Sequence, residues 1–406
     1  ALSDWLTKKD EITLLTRIMW PYLMVISIAA LFQGILNGCG IFAPSGFTPV
    51  LFNGIVIGAT YLLAPYTENP ARAMSIGVVS GGCVQALFQW PFIRKTGWKI
   101  TFNKLKKTFS NPGTKTVLRL ILPTIIGMAA YQVNDVVSTA LANRMGTGIA
   151  SSLQYSLRLQ ELILGIFAVS ISTVILPDLS GFANKKDWDN FNSMLIQAVK
   201  IITIISIPVT FYALVTGKEL ISLLYKTNNF SDESVKLTLG AFRWHIAGLL
   251  FIALNRIIAP AFYAQQNTKL PTLAGIISFI CNIIFAIALA FPMKGDGIAL
   301  ALSLASMANT IFLFIFMTKM ESFNVKKLIK DLGLYILKIV LFSLVAAIPI
   351  FFLRPVLLKL FEGHNRIISY GLPVIISAVI FAVIGVGLLI LTGDKSTKAL
   401  IKKIKK

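Results

Sequence analysis

The sequence predicts an all-α, polytopic membrane helix bundle, and three observations carry that prediction. Hydrophobic residues fill 56% of the 406 positions and charged residues only 14%, whereas soluble domains carry about 25% charged residues. Apolar windows of spanning length recur along the chain. A spanning helix needs about 20 mostly apolar residues, because no backbone polar group can go unpaired in hydrocarbon. The basic residues fall mainly between alternate windows, which is how Lys and Arg sort to the cytoplasmic side of a membrane protein. Together these exclude an ordinary soluble domain. The net charge of +21, from 38 Lys and Arg against 17 Asp and Glu, then reads as membrane topology and makes no case for a nucleic-acid partner.

Eleven windows follow one another. The first three cover 19–38, 47–65 and 73–93, and a basic segment with Arg94, Lys95, Lys99, Lys104, Lys106 and Lys107 comes next. Within it, Trp98, Phe102, Leu105 and Phe109 recur at helical spacing among the lysines, which describes a basic amphipathic helix over 98–113 lying in the cytoplasmic interface. Asn111, Pro112 and Gly113 close it as a breaker cluster. Six more windows cover 117–142, 152–177, 191–216, 237–263, 271–293 and 297–318, and two last ones 333–353 and 367–391. Further basic groups stand at Lys185 and Lys186, at Lys269, from Lys319 to Lys330, and in the tail from Lys395 onward. With eleven spans all five basic segments share one side, so the C-terminus is expected in the cytoplasm and the N-terminus outside. The chain opens on Ala1 without a signal sequence to export residues 1–18. An odd number of spans is therefore expected upstream, making this the C-terminal portion of a longer transporter-like chain.

Polar and ionisable residues inside spans are costly and are the default functional candidates. The fourth window holds Gln132, Asn134 and Asp135, the fifth Gln154, Arg158, Gln160 and Glu161, the seventh His245, Asn255 and Arg256, and the eighth Asn282. Arg158 and Glu161 lie three apart on one helical face, where they can simply neutralise each other. Alternatively, Arg158 and Arg256 present guanidinium forks to an anionic group, most naturally a phosphate. His245 lies near a window end, where interfacial packing is expected. Asn282 suits an amide contact between helices. Prolines recur in or beside the windows, at Pro21, Pro49, Pro123, Pro177, Pro208, Pro260 and Pro349, and kinks there suit a bundle that bends between two access states. Two histidines and three cysteines leave little material for a metal cluster or a disulfide framework. No phosphate-cradling loop of the ATPase type is visible.

Four stretches resemble the MurJ lipid II flippases, within the larger group of multidrug, oligosaccharidyl-lipid and polysaccharide exporters. They are RIMWPYLMVISIAALFQGILNG from Arg17, APSGFTPVLFN from Ala43, QYSLRLQELILGIFAVSISTVILPDLS from Gln154, and NRIIAPAFYAQQNTKLP from Asn255. The resemblance implies a fourteen-span bundle of two pseudo-symmetric six-helix lobes plus two C-terminal helices that form a groove for a lipid tail. The eleven spans here then match the fourth to fourteenth. Residues 1–97 become the second half of the N-lobe, 98–113 the linker helix, 114–320 the C-lobe, and 321–406 the groove helices with a basic tail.

The resemblance also implies a function. A flippase of this family moves lipid II, the undecaprenyl-diphosphate-linked peptidoglycan precursor, from the cytoplasmic to the periplasmic leaflet by alternating access, for cell-wall biogenesis. It is expected as a monomer in the bacterial inner membrane, with lipid II and membrane lipids as its partners. Arg158, in YSLRLQE, occupies the place of a cavity arginine that engages the diphosphate, although Leu157 replaces an acidic residue common there. Arg256, in RIIAPAFY, matches a basic position on the family's tenth helix, and Glu161 and Asp135 complete the expected substrate-binding set. Some members bind sodium, and Asn282 matches one ligand, but Ala286 stands one turn later and Ser138 takes the place of an aspartate, with Asp135 a turn earlier. No cofactor is expected beyond a sodium ion or the membrane potential as driving force. Related readings are export of another polyprenyl-linked oligosaccharide or of a drug. A membrane enzyme acting on polyprenyl phosphates would need clustered carboxylates or a paired histidine, and here the acidic residues are scattered and His364 lies in a loop. A non-transporting scaffold is the remaining alternative.

Overall fold

The computed structural model of the chain describes the backbone of residues 2–98, 110–165 and 178–393, and the side chains of these residues other than 2–9 and 116–131. Among the described residues the regular structure is helical, apart from one isolated bridge between Thr227 and Phe230. The chain divides into two compact units, residues 1–115 and 116–406. Among the described residues eight helices are long and apolar enough to cross a membrane, and one bent pair makes a ninth. The other two windows fall on α4 and on α5 with residues 166–177, and that last stretch lies outside the described residues. So does 99–109, the body of the expected amphipathic linker.

In the first unit, α1 (Leu2–Gly38), α2 (Ala43–Leu63) and α3 (Pro70–Lys95) pack with α3 against both others. Small residues let it sit there. A Cβ added at Gly77 would meet the Val56 carbonyl at 3.2 Å, and one at Gly82 would meet the Tyr22 ring at 2.8 Å. Close backbone approach of this kind is the usual basis of helix packing in lipid, where apolar burial gives no net drive. Asn69 caps α3 by accepting from the Ala71 N–H at 2.9 Å, with Pro70 at the first helical position. Arg72 then forks onto Glu11 at 2.7 and 2.9 Å, clipping α3 to α1.

The second unit contains α4 (Pro112–Met145), α5 (Ile149–Leu164), α6 (Trp188–Tyr225), α7 (Asp232–Ala247), α8 (Leu249–Tyr263), α9 (Lys269–Met293), α10 (Gly295–Met317), α11 (Val325–Leu360) and α12 (Leu372–Leu391). A π-turn, Ile367–Gly371, leads into α12. Along α9, Ala274, Ser278, Asn282, Ala286 and Ala290 recur every four residues, forming the seam against α10. Ser278 donates across it to the Ala305 carbonyl at 2.8 Å. On α11 and α12, Leu334, Phe351, Phe352 and Val379 are exposed, as suits helices that face lipid rather than water.

One expected span is not continuous. The window 237–263 is broken at Gly248 into α7 and α8, which meet at a bend of 43°. A Cβ at Gly248 would collide with Ser303, so α10 approaches the break closely. Three carbonyls beside the bend accept from side chains. Ser303 donates to Trp244 at 2.6 Å, Gln160 to His245, and Thr210 to Ile246 at 3.2 Å. Freed backbone acceptors at membrane depth need such partners.

Candidate substrate-binding site

α5 carries the site because its two faces differ. Ile149, Ser152, Leu153, Ser156, Leu159, Gln160 and Leu164 are buried at spacings of three and four. Gln154, Arg158 and Glu161 are exposed on the other face. The buried face is held by polar contacts as well as packing: Ser156 Oγ lies 2.6 Å from His245 Nδ1, and Gln160 donates to the carbonyl of the same residue. His245 is therefore a core residue, 2% exposed, and not the interfacial one its position near a window end suggested. This clamp of α5 on α7 fixes which way Arg158 and Glu161 point.

A polar pocket of about 90 Å³ opens beside that exposed face. Asn134, Asp135 and Ser138 from α4, Gln154 and Glu161 from α5, and Asn282 from α9 line it. Gln154 Nε2 stands 3.5 Å from Asp135 Oδ1, and Asn282 Nδ2 donates to Asn134 Oδ1 at 2.5 Å. The structure thus brings three of the five expected residues, Asp135, Glu161 and Asn282, to one place. Arg158 stands at the edge, joined to Glu161 by a 3.4 Å contact, with the two side chains 74% and 51% exposed. An ion pair that long and that exposed is worth about 0–1 kcal/mol, so it does not commit the guanidinium. Arg256 is half-buried on α8 and does not line the pocket. Its neighbour Asn255 is tied to α10, donating to the Ser306 carbonyl at 3.1 Å and accepting from Thr310 at 2.8 Å.

The Oδ1 atom of Asn282 is buried without a partner. It offers one oxygen to a cation, but Ala286 offers none and sits fully inside the α9 seam, 1% exposed. Among the described residues no group of three His, Cys, Asp or Glu could hold a metal ion.

A second arginine–glutamate pair lies elsewhere in this unit and was not singled out from sequence. Arg354 Nε donates to Glu219 Oε1 at 2.6 Å, joining α11 to α6, and Glu219 is 3% exposed. Both residues fall just beyond the ends of the expected windows and 135 positions apart, so no local pattern connects them.

Among the described residues the chain is a polytopic helical bundle in which polar side chains from α4, α5 and α9 line one pocket, and intramembrane polar groups that face a cavity are the usual mark of a transport path. Solved structures share the fold. A MATE transporter in complex with MaL6 superposes with a TM-score of 0.57 at 14% identity, over 78% of this chain and 70% of that one, which speaks to the fold alone. A lipid II flippase MurJ in an inward closed conformation superposes with a TM-score of 0.72 at 26% identity, over 92% and 74%. The family model described as lipid II flippase MurJ matches residues 2–368. A probable lipid II flippase MurJ of Treponema pallidum is 45% identical over 391 residues, covering 96% of this chain and 74% of that protein. That of Vibrio cholerae is 33% identical over 326 residues, covering 77% and 60%. The chain belongs to the MurJ lipid II flippase family. It is a multi-pass protein of the bacterial inner membrane, a transporter and not an enzyme.

Proposed function

We propose that this chain carries the diphosphate headgroup of lipid II across the membrane by alternating access, with Arg158 as its principal anion contact. The observation that carries this reading is the exposed, 3.4 Å pairing of Arg158 with Glu161. A weak internal partner orients the guanidinium while leaving it free to fork onto a phosphate. Glu161 is then the residue that holds Arg158 between cargoes, and Asp135, reached through Gln154, and Asn282 shape the polar wall beside it. Arg256 supplies a second cation from α8. The pocket of about 90 Å³ fits a few waters, so it serves as a hydrated flank to the path and not as the whole headgroup site. Residues 1–97 act as part of one lobe, 114–320 as the other, and 321–406 as the tail groove, with the C-terminus in the cytoplasm and the chain working as a monomer. The driving force is the membrane potential, which pushes anions outward by about 2.3 kcal/mol per elementary charge per 100 mV. No step is routed through sodium, because Asn282 Oδ1 lacks companion ligands at Ala286.

The test is replacement in cells depleted of their own flippase. The full-length gene with Arg158→Ala is expected at a normal membrane level with lipid II export abolished. Normal export by that variant contradicts the assignment.

A further inference from the structure

A larger and more strongly charged cleft lies away from the polar pocket, where α6 ends, α7 begins, and α11 turns into α12. Its volume is about 810 Å³. Lys218, Lys226, Lys359 and Arg366 line it together with Glu219, Asp232 and Glu362. Two of the three carboxylates are already engaged. Arg354 neutralises Glu219 at 2.6 Å from behind the wall, and Lys226 Nζ meets Asp232 at 2.6 Å. Lys218 and Lys359 have no hydrogen-bond or ion-pair partner among the described residues. Arg366 spends one donor on the Lys226 carbonyl and keeps the rest of its fork. Three cations therefore face the cleft against one uncommitted carboxylate, Glu362.

The surroundings narrow the ligand. Val356, Leu360 and Ile367 are exposed beside the cleft on the same helix ends, so hydrocarbon can lie against the flank while a polar head enters the basic mouth. The walls are also fixed before any ligand arrives. Besides the Glu219 and Arg366 contacts, Tyr212 on α6 donates to the Val374 carbonyl on α12 at 2.6 Å, so binding requires little ordering.

We propose that this cleft binds the phosphate headgroup of an anionic membrane lipid, through Lys218, Lys359 and Arg366. A basic cluster beside apolar side chains at a helix-end interface is the arrangement that attracts such headgroups. Its assignment to the outer leaflet rests on the orientation proposed above, because these helix ends lie opposite the five basic segments. Binding itself does not depend on that orientation.

The experiment is native mass spectrometry of the purified chain in detergent, titrated with phosphatidylglycerol, phosphatidylcholine and undecaprenyl diphosphate. The wild type is expected to retain phosphatidylglycerol over phosphatidylcholine, and Lys218→Gln, Lys359→Gln and Arg366→Gln combined are expected to reduce that preference about tenfold or more. Charge-preserving Lys218→Arg with Lys359→Arg is expected to keep it, which separates charge from folding. Undecaprenyl diphosphate displacing phosphatidylglycerol from the wild type overturns the assignment to a bulk membrane lipid in favour of a polyprenyl phosphate at the same cations. Absence of any preference in the wild type, or an unchanged preference in the triple variant, overturns the proposal. Arg158→Ala is expected to leave phosphatidylglycerol retention untouched, so this site and the transport reading fail separately.

Discussion

Two arginines in the second unit each face a glutamate, and the two pairs are built for different ends. Arg354 meets Glu219 at 2.6 Å with the carboxylate 3% exposed, whereas Arg158 meets Glu161 at 3.4 Å with both side chains more than half exposed. A buried charge that loses its partner has nowhere to go, while an exposed one is hydrated and can exchange partners. The first pair therefore fastens α11 to α6, and the second keeps a cation oriented and available. The lesson is that an intramembrane arginine is functional to the extent that its internal partner is replaceable.

The largest expected effect comes from breaking the buried pair. Arg354→Ala leaves Glu219 without a counter-ion and is expected to destabilise the chain by about 3–5 kcal/mol, read as an earlier thermal unfolding in detergent. Next comes the clamp that aims the exposed pair. Ser156→Ala removes the partner of His245 Nδ1 in a fully buried contact, and about 1–3 kcal/mol of stability is expected to go with it. Transport should fall as well, because α5 no longer holds Arg158 in one direction. Smaller still is Glu161→Gln, expected to change stability by less than about 1 kcal/mol and to leave Arg158 freer for an anion, so lipid II binding stays the same or tightens. Binding lost in that variant would make Glu161 a direct contact and blur the comparison.

The smallest effect concerns a half-buried carboxylate outside the spans. Asp187 caps α6 by accepting from the Asn190 N–H at 3.2 Å and from its side-chain amide at 2.7 Å, and these bonds hold its carboxyl below the usual range. A depressed folded-state value means that the stabilisation is present at neutral pH and lost as pH falls through that value. The stability difference between wild type and Asp187→Ala should therefore shrink on acidification below about pH 4. A difference that persists in acid would show the cap acting without its charge.

Much of the bundle is legible in the sequence, because hydrocarbon imposes the same demand on every span and that demand fixes length and composition. The break at Gly248 is not legible. The apolar run continues through it, and what makes the bend tolerable is Ser303, Gln160 and Thr210 arriving from three other helices. The site divides the same way. Arg158 and Glu161 are readable as neighbours because three residues apart on a helix means one face. How exposed their pair is depends on the burial of Ser156 and Gln160 against α7, which spacing alone does not give. His245 looked interfacial because it lies near a window end, and its place in the core comes from helices packing over α7, with Ser156 and Gln160 of α5 in direct contact. Glu219 and Arg354 are the opposite case, with no local signature and a partner fixed wholly by tertiary packing.

The central claim is that Arg158 is available to the cargo's diphosphate. It is tested most directly by titrating lipid II into the purified wild-type chain and into Arg158→Ala at low and high salt. The expected result is a loss of affinity of about tenfold or more in the variant, with a shallower salt dependence, since a charge-assisted contact to phosphate is worth about 1.5–3 kcal/mol. Equal affinity and equal salt dependence in the two proteins would contradict it.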